Sequence, residues 1–376
     1  MNKELLEIIK YFEQNQPEST KTVLATVVDV KGSSYRLPGA RMLIGENGEM
    51  FGTVSGGCLE ADVLERASRV LQNGEAEIFT YDTTEHKDSV FSLNMGCRGV
   101  IRILLEPINA RAMLVRAWKA AFERQERQLM ATLISGESSP NIPPGGRIFY
   151  SEAEQFDFEN LPKIFESSKE LIADCLTFFG ENGKAQIKDY QTEQGKFEFF
   201  FEIVSPPTNL IVFGAGADAI PVAETAKNLG WRVCVVDHRT AFANKERFPS
   251  ADEIILTRPE NLNVNFAIDE NTVAVVMSHN YEHDKETLRF LLNSKVRYIG
   301  ALGPKRRTEN ILREWREAGE TFSEEQLNKL YAPIGLDIGA DTPESIALSI
   351  IAEIKSVLTN RKGGFLRRRK VSIYNR

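Results

Sequence analysis

A glycine-rich segment between a strand and a helix places the tightest constraint on the fold of this chain. The stretch from Asn209 to Phe213 is typical of a buried parallel strand. It is followed by Gly214-x-Gly216-x-x-Ala219, after which a helical pattern begins, and the next strand ends in Asp237 about twenty residues further on. This is the dinucleotide-binding fingerprint in its expected context, so it predicts a Rossmann-type parallel sheet.

The same fingerprint predicts a ligand crevice at the carboxyl edge of that sheet. Gly216 would allow a phosphate to approach the helix N-terminus, and Asp237 would accept hydrogen bonds from a ribose, a preference that nearby Arg239 weakens. His279 ends the fourth strand, where it is either a ligand contact or acid/base group, or a residue hydrogen-bonded across the crevice. The basic turn 305–307 either faces an anion or begins a solvated helix.

A second glycine-rich corner lies in the first half of the chain. The strand-like run from Glu49 to Val54 leads into Ser55-Gly56-Gly57-Cys58, and a helical pattern follows. This predicts that Cys58 lies at or just before a helix N-terminus, where free backbone N–H groups and the helix dipole favour anions and lower the pKa of a thiol. The alternative is a tight corner that buries a small cysteine.

Cys97 also lies beside glycines, as Cys58 does, so we consider the two cysteines together. The two cysteines form no CxxC motif, and their spacing does not fit a closed zinc site. His86 is the only histidine in this half of the chain, and its surroundings are polar. A soft, thiolate-binding metal or a sulfur-containing ligand therefore suits Cys58 and Cys97 better than a catalytic Cys–His pair.

Three local signals place element boundaries. Asn47-Gly48 predicts a hairpin turn between two short strands. Gly74 is a plausible stop for the helix after Cys58. Asp341 is the expected N-cap of the last long helix, because Glu344 follows three residues later.

The bulk properties are those of a globular protein. The chain has 376 residues, 42% hydrophobic content and a net charge of −7, which argues against sequence-independent nucleic-acid binding. Four cysteines do not suggest a disulfide framework, so we expect a cytoplasmic protein. The N-terminus is a charged amphipathic pattern and not a signal peptide, and no apolar run is long enough to suggest a membrane span.

These patterns predict an α/β protein of two domains. Residues 1–205 would form a mixed α/β domain, and residues 206–360 a Rossmann-type domain with a parallel sheet, joined at Ser205-Pro206-Pro207. Residues 361–376 carry a basic cluster and are expected to form a solvated tail. Residues 110–196 are the least informative part of the chain.

Several blocks, in their order along the chain, resemble one known family. In the first half these are Gly-Ser-Ser-Tyr-Arg-Leu-Pro-Gly-Ala-Arg-Met at 32–42, Gly-Thr-Val-Ser-Gly-Gly-Cys-Leu-Glu at 52–60, and Cys97 with its glycines. In the second half they are residues 213–216, 235–239, 242–243, 247–249, 251–252, 276–279, 298–303, 333–340 and 342–347. The chain resembles the XdhC/CoxI family, accessory proteins of molybdenum hydroxylases such as xanthine dehydrogenase. It departs from the family pattern at Ala217, where a histidine is frequent, and at Arg98, which follows Cys97 in place of a glycine.

The resemblance implies a maturation chaperone that binds molybdenum cofactor, supports its sulfuration and inserts it into a xanthine-dehydrogenase-type hydroxylase. It implies that Cys58 and Cys97 contact the cofactor or its molybdenum, and that Gly56, Gly57 and Arg36 serve its phosphate or pterin. The expected partners are the hydroxylase and a cysteine desulfurase, and the expected assembly is a homodimer.

Two alternatives stay open from the residues alone. One is an NAD(P)-dependent oxidoreductase with the dinucleotide, NAD or another nucleotide, at Gly214, Gly216 and Asp237 and with His279 as acid/base. The sequence offers no convincing second catalytic partner for His279. The other is a nucleotide-sensing adaptor without chemistry.

Overall fold

The chain folds into two compact units, Met1–Pro206 and Pro207–Arg376. The structure, a computed structural model, describes residues 2–15, 21–32, 34–82, 99–136, 142–262, 268–370 and 373. Within these ranges, no helix combines the length and the apolar character that crossing a membrane would require.

The first unit contains two five-stranded antiparallel sheets with strand orders β3-β2-β1-β5-β4 and β8-β7-β6-β10-β9. The strands are β1 Thr22–Gly32, β2 Arg41–Gly45, β3 Met50–Gly52, β4 Glu77–Asp82, β5 Gly99–Ile108, β6 Gln128–Gly136, β7 Arg147–Ser151, β8 Gln155–Glu159, β9 Gln186–Thr192 and β10 Gly195–Val204. The helices are α1 Asn2–Gln14, α2 Glu60–Asn73, α3 Met113–Glu123, α4 Lys163–Glu166 and α5 Lys169–Gly180. The predicted hairpin at Asn47-Gly48 is confirmed between β2 and β3, and Gly74 ends α2 in a left-handed conformation.

The two sheets are successive copies of one structural pattern. Each copy runs helix, three strands, helix or helix pair, and two strands, and the two strand orders correspond position by position. The sheets face each other through Val28 and Leu104 of one copy and Ile134 and Phe200 of the other. On their outer faces, α2 packs against the first sheet and α5 against the second. Helices α1 and α3 pack together against apolar residues of both sheets, so the unit is a two-sheet sandwich with α2 and α5 on its outer faces.

Two buried ion pairs join the copies in a reciprocal way. Arg41 at the start of β2 contacts Glu202 of β10, and Arg147 at the start of β7 contacts Glu106 of β5. Each arginine also donates to a carbonyl two residues earlier in its own chain segment, at 3.0 Å in both copies. All four charged side chains are at most 7% exposed, so each charge depends on its partner in the other copy.

The second unit is a parallel six-stranded sheet of order β13-β12-β11-β14-β15-β16. Counted within the unit, this is the Rossmann order 3-2-1-4-5-6, in which the chain reverses direction across the sheet between β11 and β14. The strands are β11 Asn209–Phe213, β12 Arg232–Asp237, β13 Glu253–Leu256, β14 Thr272–Val276, β15 Tyr298–Ala301 and β16 Leu330–Tyr331. The helices are α6 Ala219–Asn228, α7 Tyr281–Leu292, α8 Lys305–Glu317, α9 Glu324–Leu327 and α10 Pro343–Leu358.

Helices cover both faces of this sheet, as a buried parallel sheet requires. The apolar sides of α6 and α10 pack on one face, and those of α7 and α8 pack on the other. The expected N-cap of α10 is wrong by one position. Thr342 caps the helix and forms a capping box with Ser345, because its hydroxyl reaches the N–H three residues on.

Candidate functional site

The loop around Cys58 is organised by a buried serine. Ser55 is 5% exposed, and its hydroxyl oxygen accepts hydrogen bonds from the backbone N–H groups of Gly57, Cys58 and Leu59 at 3.2, 3.1 and 3.1 Å. Helix α2 begins immediately afterwards, and Cys58 is exposed on the outside of this turn. The alternative of a corner that buries the cysteine is therefore wrong.

The carboxylate of Glu60 secures the same turn from the first residue of α2. It accepts hydrogen bonds from the hydroxyls of Thr53 and Ser55 and from the backbone N–H groups of Ser55 and Leu59, the last two at 3.0 and 3.2 Å. Burial would raise the pKa of Glu60, but the hydrogen bonds from Ser55 and Thr53 outweigh it and hold the pKa below its usual range.

These contacts use part of the N–H groups that the sequence predicted to be free at the start of α2. The donors of Gly57, Cys58 and Leu59 are used by Ser55 and Glu60. The chain thus places its own carboxylate where the sequence predicted an external anion. The side chain of Cys58 remains exposed at this turn.

The surroundings of Cys58 are open on one side and aromatic on the other. A side chain built at Gly57 would meet no atom within 4 Å, whereas one built at Gly56 would lie 3.4 Å from the ring of Tyr35. That ring is 63% exposed. Arg36 follows it, but its guanidinium contacts both carboxylate oxygens of Glu4 at 2.5 Å, so its charge is already balanced.

The other cysteines differ from Cys58. Cys97 lies outside the described residues, together with Arg98 and His86, so a shared two-thiol pocket stays a prediction. Cys175 is buried and Cys234 half-buried, and burial raises the pKa of each thiol to about 12. Among the described residues, Cys58 is the exposed cysteine, and no cluster of three or more His, Cys, Asp or Glu side chains is arranged to hold a metal ion.

The Rossmann unit carries a cavity at the carboxyl edge of its sheet. Its volume is about 210 Å³, and it lies beside the ends of β11, β12, β13 and β14. It is lined by Phe213, Gly214, Val236, Asp237, His238, Arg239, Thr257, Pro259, Leu262, Ser278, Asn280, His283 and Thr287. This is the position at which open parallel sheets bind ligands.

Asp237 lies at this edge, but its carboxylate is engaged within the protein. One oxygen accepts from the backbone N–H and Nε of Arg239, both at 3.0 Å, and the other accepts from Arg239 Nη2 at 2.8 Å and the Ala215 N–H at 2.9 Å. Burial would raise the pKa of Asp237, but these bonds outweigh it and lower the pKa to about 2. Four donors match the acceptor capacity of a carboxylate.

His279 is bonded across the crevice. It adopts a positive φ of 59° after β14, and its Nε2 lies 2.8 Å from Oδ2 of Asp218, the residue just before α6. The other oxygen of Asp218 lies where a side chain at Gly216 would be, 2.5 Å from such a Cβ. The Asp218–His279 pair therefore connects the ends of β11 and β14 over the glycine turn.

The basic turn before α8 is partly used for structure. Arg307 donates to Asp284 at 2.6 Å, and Asp284 also accepts from the hydroxyl of Ser278, which lines the cavity. Lys305 is 77% exposed and lies near Glu309 of the same helix. This part of the chain supports the edge of the crevice through Arg307, while Lys305 is solvated.

Sequence comparison places the chain in a family. Residues 16–82 match the profile of the XdhC and CoxI family, and residues 210–354 match that of the XdhC Rossmann domain. A Bacillus subtilis (strain 168) protein, named as a probable xanthine dehydrogenase subunit, is 31% identical over 346 residues, covering 90% of this chain and 93% of that protein. The chain belongs to the XdhC and CoxI family.

Two further relatives support this family membership. An Escherichia coli (strain K12) protein named molybdenum cofactor insertion chaperone PaoD is 24% identical over 335 residues, covering 89% of this chain and 83% of that protein. The crystal structure of a Bacillus halodurans protein described as a xanthine dehydrogenase is similar with a TM-score of 0.75 and 30% identity, over 95% and 96% of the two chains. The XdhC/CoxI resemblance and the α/β fold class predicted from sequence are thus confirmed.

The two acids that shape the sites were missed at the sequence level. Glu60 and Asp218 each lie within one residue of a helix start, where an acid is ordinarily explained by the helix dipole alone. Two sequence signals could have predicted these roles. Ser55 and Glu60 flank the glycines of the first turn, and Asp218 follows Gly216 by two residues. The roles of Cys58, Cys97, Gly56, Gly57 and Arg36 toward a cofactor stay predictions.

Proposed function

We propose that this chain binds molybdenum cofactor through Cys58 and delivers it to a xanthine-dehydrogenase-type molybdenum hydroxylase. The observation that carries the proposal is the presentation of Cys58, an exposed thiol on a turn fixed by the buried Ser55 and the half-buried Glu60. Its family relationship to a protein named a molybdenum cofactor insertion chaperone supports the same conclusion. A carrier needs a metal-binding side chain that is held rigidly enough to bind the cofactor. The same side chain must be exposed enough to release the cofactor to the next protein.

The residues around Cys58 suit the molybdenum and the pterin of the cofactor better than its phosphate. A thiolate is a soft donor that suits molybdenum in a sulfur-rich ligand set. The open side at Gly57 leaves room for a bulky group, and the exposed ring of Tyr35 offers an aromatic surface for a pterin. A phosphate finds fewer donors at this turn, because Ser55 and Glu60 already use the N–H groups of Gly57, Cys58 and Leu59. We therefore assign thiol and ring contacts to this loop and leave these three N–H groups out of phosphate binding.

The proposal has finer parts that rest on the family relationship. We propose that the bound cofactor is sulfurated before transfer, with a cysteine desulfurase as the sulfur donor. We also propose that the chain acts as a homodimer in the cytoplasm. If the exposed Cys58 thiol contacts the molybdenum from one side, a second protein can still reach the metal from elsewhere. Sulfuration of the cofactor on the carrier would need such access.

Maturation of a client enzyme tests the delivery step. A xanthine-dehydrogenase-type hydroxylase is produced with no accessory chain, with this chain, with Cys58→Ser, or with Cys234→Ser, and its molybdenum content and activity are measured. We expect this chain and Cys234→Ser to raise both quantities, and Cys58→Ser to lower them at least about tenfold relative to this chain. Full maturation of the hydroxylase with no accessory chain, or with Cys58→Ser, would contradict the proposal.

A further inference from the structure

We infer that the crevice of the Rossmann unit binds an uncharged nucleoside and excludes the pyrophosphate of a dinucleotide. This crevice belongs to the second unit, and its ligand goes beyond the carrier function proposed for Cys58. The fold and the glycine fingerprint imply NAD or a related dinucleotide, but the residues around the glycine turn do not fit one. The misfit lies in the size of the cavity and in the positions of Asp218 and Asp237.

The cavity has the size and lining for a flat ring with its sugar. At about 210 Å³ it is smaller than the roughly 300–1,000 Å³ typical of pockets for larger ligands. Apolar walls come from Phe213, Val236 and Leu262, which suits the faces of a heterocycle. The polar groups that line the cavity are those of Asp237, His238, Arg239, Thr257, Ser278, Asn280, His283 and Thr287. Apolar walls combined with polar contacts are the pattern by which proteins orient a heterocyclic ligand.

The pyrophosphate position is taken by a carboxylate of the chain itself. In a Rossmann site, the second glycine of the fingerprint lets the backbone approach the pyrophosphate. Here the space beside Gly216 holds Oδ1 of Asp218, and Oδ2 of the same residue is held by His279 at 2.8 Å. A pyrophosphate bound beside Gly216 would place two further negative charges next to the carboxylate of Asp218. Like charges in close contact repel each other. Asp218, held in place by His279, therefore blocks the phosphate subsite.

The ribose-binding acid is also unavailable in its usual role. The carboxylate oxygens of Asp237 already accept hydrogen bonds from Arg239 and from the N–H of Ala215. The guanidinium of Arg239 is further fixed by the ring of Phe242, 4.3 Å from its centroid. A dinucleotide would have to break this arrangement as well as displace Asp218. A nucleoside needs neither, because it can fill the cavity beside the Asp237–Arg239 pair.

Calorimetric titration of the full chain tests the inference. Adenosine, guanosine, cytidine and uridine are titrated first, and the tightest nucleoside is then compared with its 5′-diphosphate and with NAD. The variants are Asp218→Asn, which removes the charge with little change in size, and Glu224→Gln, which removes an exposed charge from the same helix α6.

We expect the chain to bind one nucleoside at least about tenfold more tightly than its diphosphate or NAD. Asp218→Asn should tighten the diphosphate at least about tenfold and change the nucleoside affinity less than about threefold. Glu224→Gln should leave the affinities for all probes unchanged. Binding of the diphosphate or NAD at least as tightly as the nucleoside, an unchanged diphosphate affinity in Asp218→Asn, or no nucleoside binding would each overturn the inference.

Discussion

At the scale of single residues, two carboxylates change what the glycine-rich turns can do. Glu60 accepts from the N–H groups of Ser55 and Leu59 just before α2, and Asp218 occupies the space beside Gly216 before α6. The sequence predicts both turns and the position of Cys58 just before a helix, because glycines and helix periodicity are local signals. It leaves open whether the thiol is exposed or buried. It does not predict where the two acids point, since a first-turn acid can either face solvent or fold back on the turn.

Asp237 provides a pH-dependent test of the crevice geometry. The hydrogen bonds around this carboxyl lower its pKa from 3.8 to about 2 on folding. Below about pH 4 the unfolded chain therefore binds the proton more readily than the folded chain, so stability falls as the pH drops. The contribution is about 2 kcal/mol at pH 6 and about half of that at pH 3.

Urea unfolding followed by circular dichroism at pH 6, 4 and 3 measures this effect. Asp237→Asn should be less stable than the parent chain at pH 6, and the gap should narrow toward pH 3. Asp341→Asn, on an exposed carboxyl at the start of the last long helix, serves as the control and should show no such trend. A gap between the parent chain and Asp237→Asn that is independent of pH would contradict the assigned hydrogen bonds.

At the scale of elements, the first unit is a duplicated sandwich whose copies are tied by buried charges. Part of this was visible in the sequence, because Pro38-Gly39-Ala40-Arg41 and Pro144-Gly145-Gly146-Arg147 precede equivalent strands. The rest of the two copies has diverged, and the turn that carries Cys58 in the first copy is replaced by a short connection between β8 and α4 in the second. Sequence patterns could predict the strands, but pairing across copies depends on contacts distant in the chain.

Arg41 should be among the costliest single truncations in the first unit. Arg41→Ala would leave Glu202 charged, buried and without this partner, which typically costs about 3–5 kcal/mol of unfolding free energy. Arg124→Ala removes an exposed pair with Glu154 and should cost far less, because solvent screens exposed ion pairs.

Urea denaturation of both variants measures the two costs. The double variant Arg41→Met with Glu202→Leu should recover most of the stability lost in Arg41→Ala, because no unpaired charge then remains buried. Equal costs for Arg41→Ala and Arg124→Ala would show that the buried pair does not join the two copies as described.

At the scale of the whole molecule, each compact unit has its own candidate site. The thiol turn belongs to Met1–Pro206, and the crevice belongs to Pro207–Arg376. The parallel sheet of the second unit was predictable from the sequence because its strands are short apolar runs separated by helical patterns. The sandwich of the first unit was predicted only as a mixed α/β domain, because antiparallel strands with long intervening loops leave many pairings open.

The most direct measurement of the central claim is the amount of cofactor that the purified chain retains. Molybdopterin is converted to its fluorescent oxidation product and quantified against protein for the parent chain, Cys58→Ser and Cys234→Ser, each made in cells that synthesise the cofactor. Cys234 lies in β12, and burial raises the pKa of its thiol to about 12, so it controls for loss of a cysteine as such. We expect near-equal retention by the parent chain and Cys234→Ser and at least about tenfold less by Cys58→Ser. Retention by Cys58→Ser equal to that of the parent chain would contradict cofactor binding through Cys58.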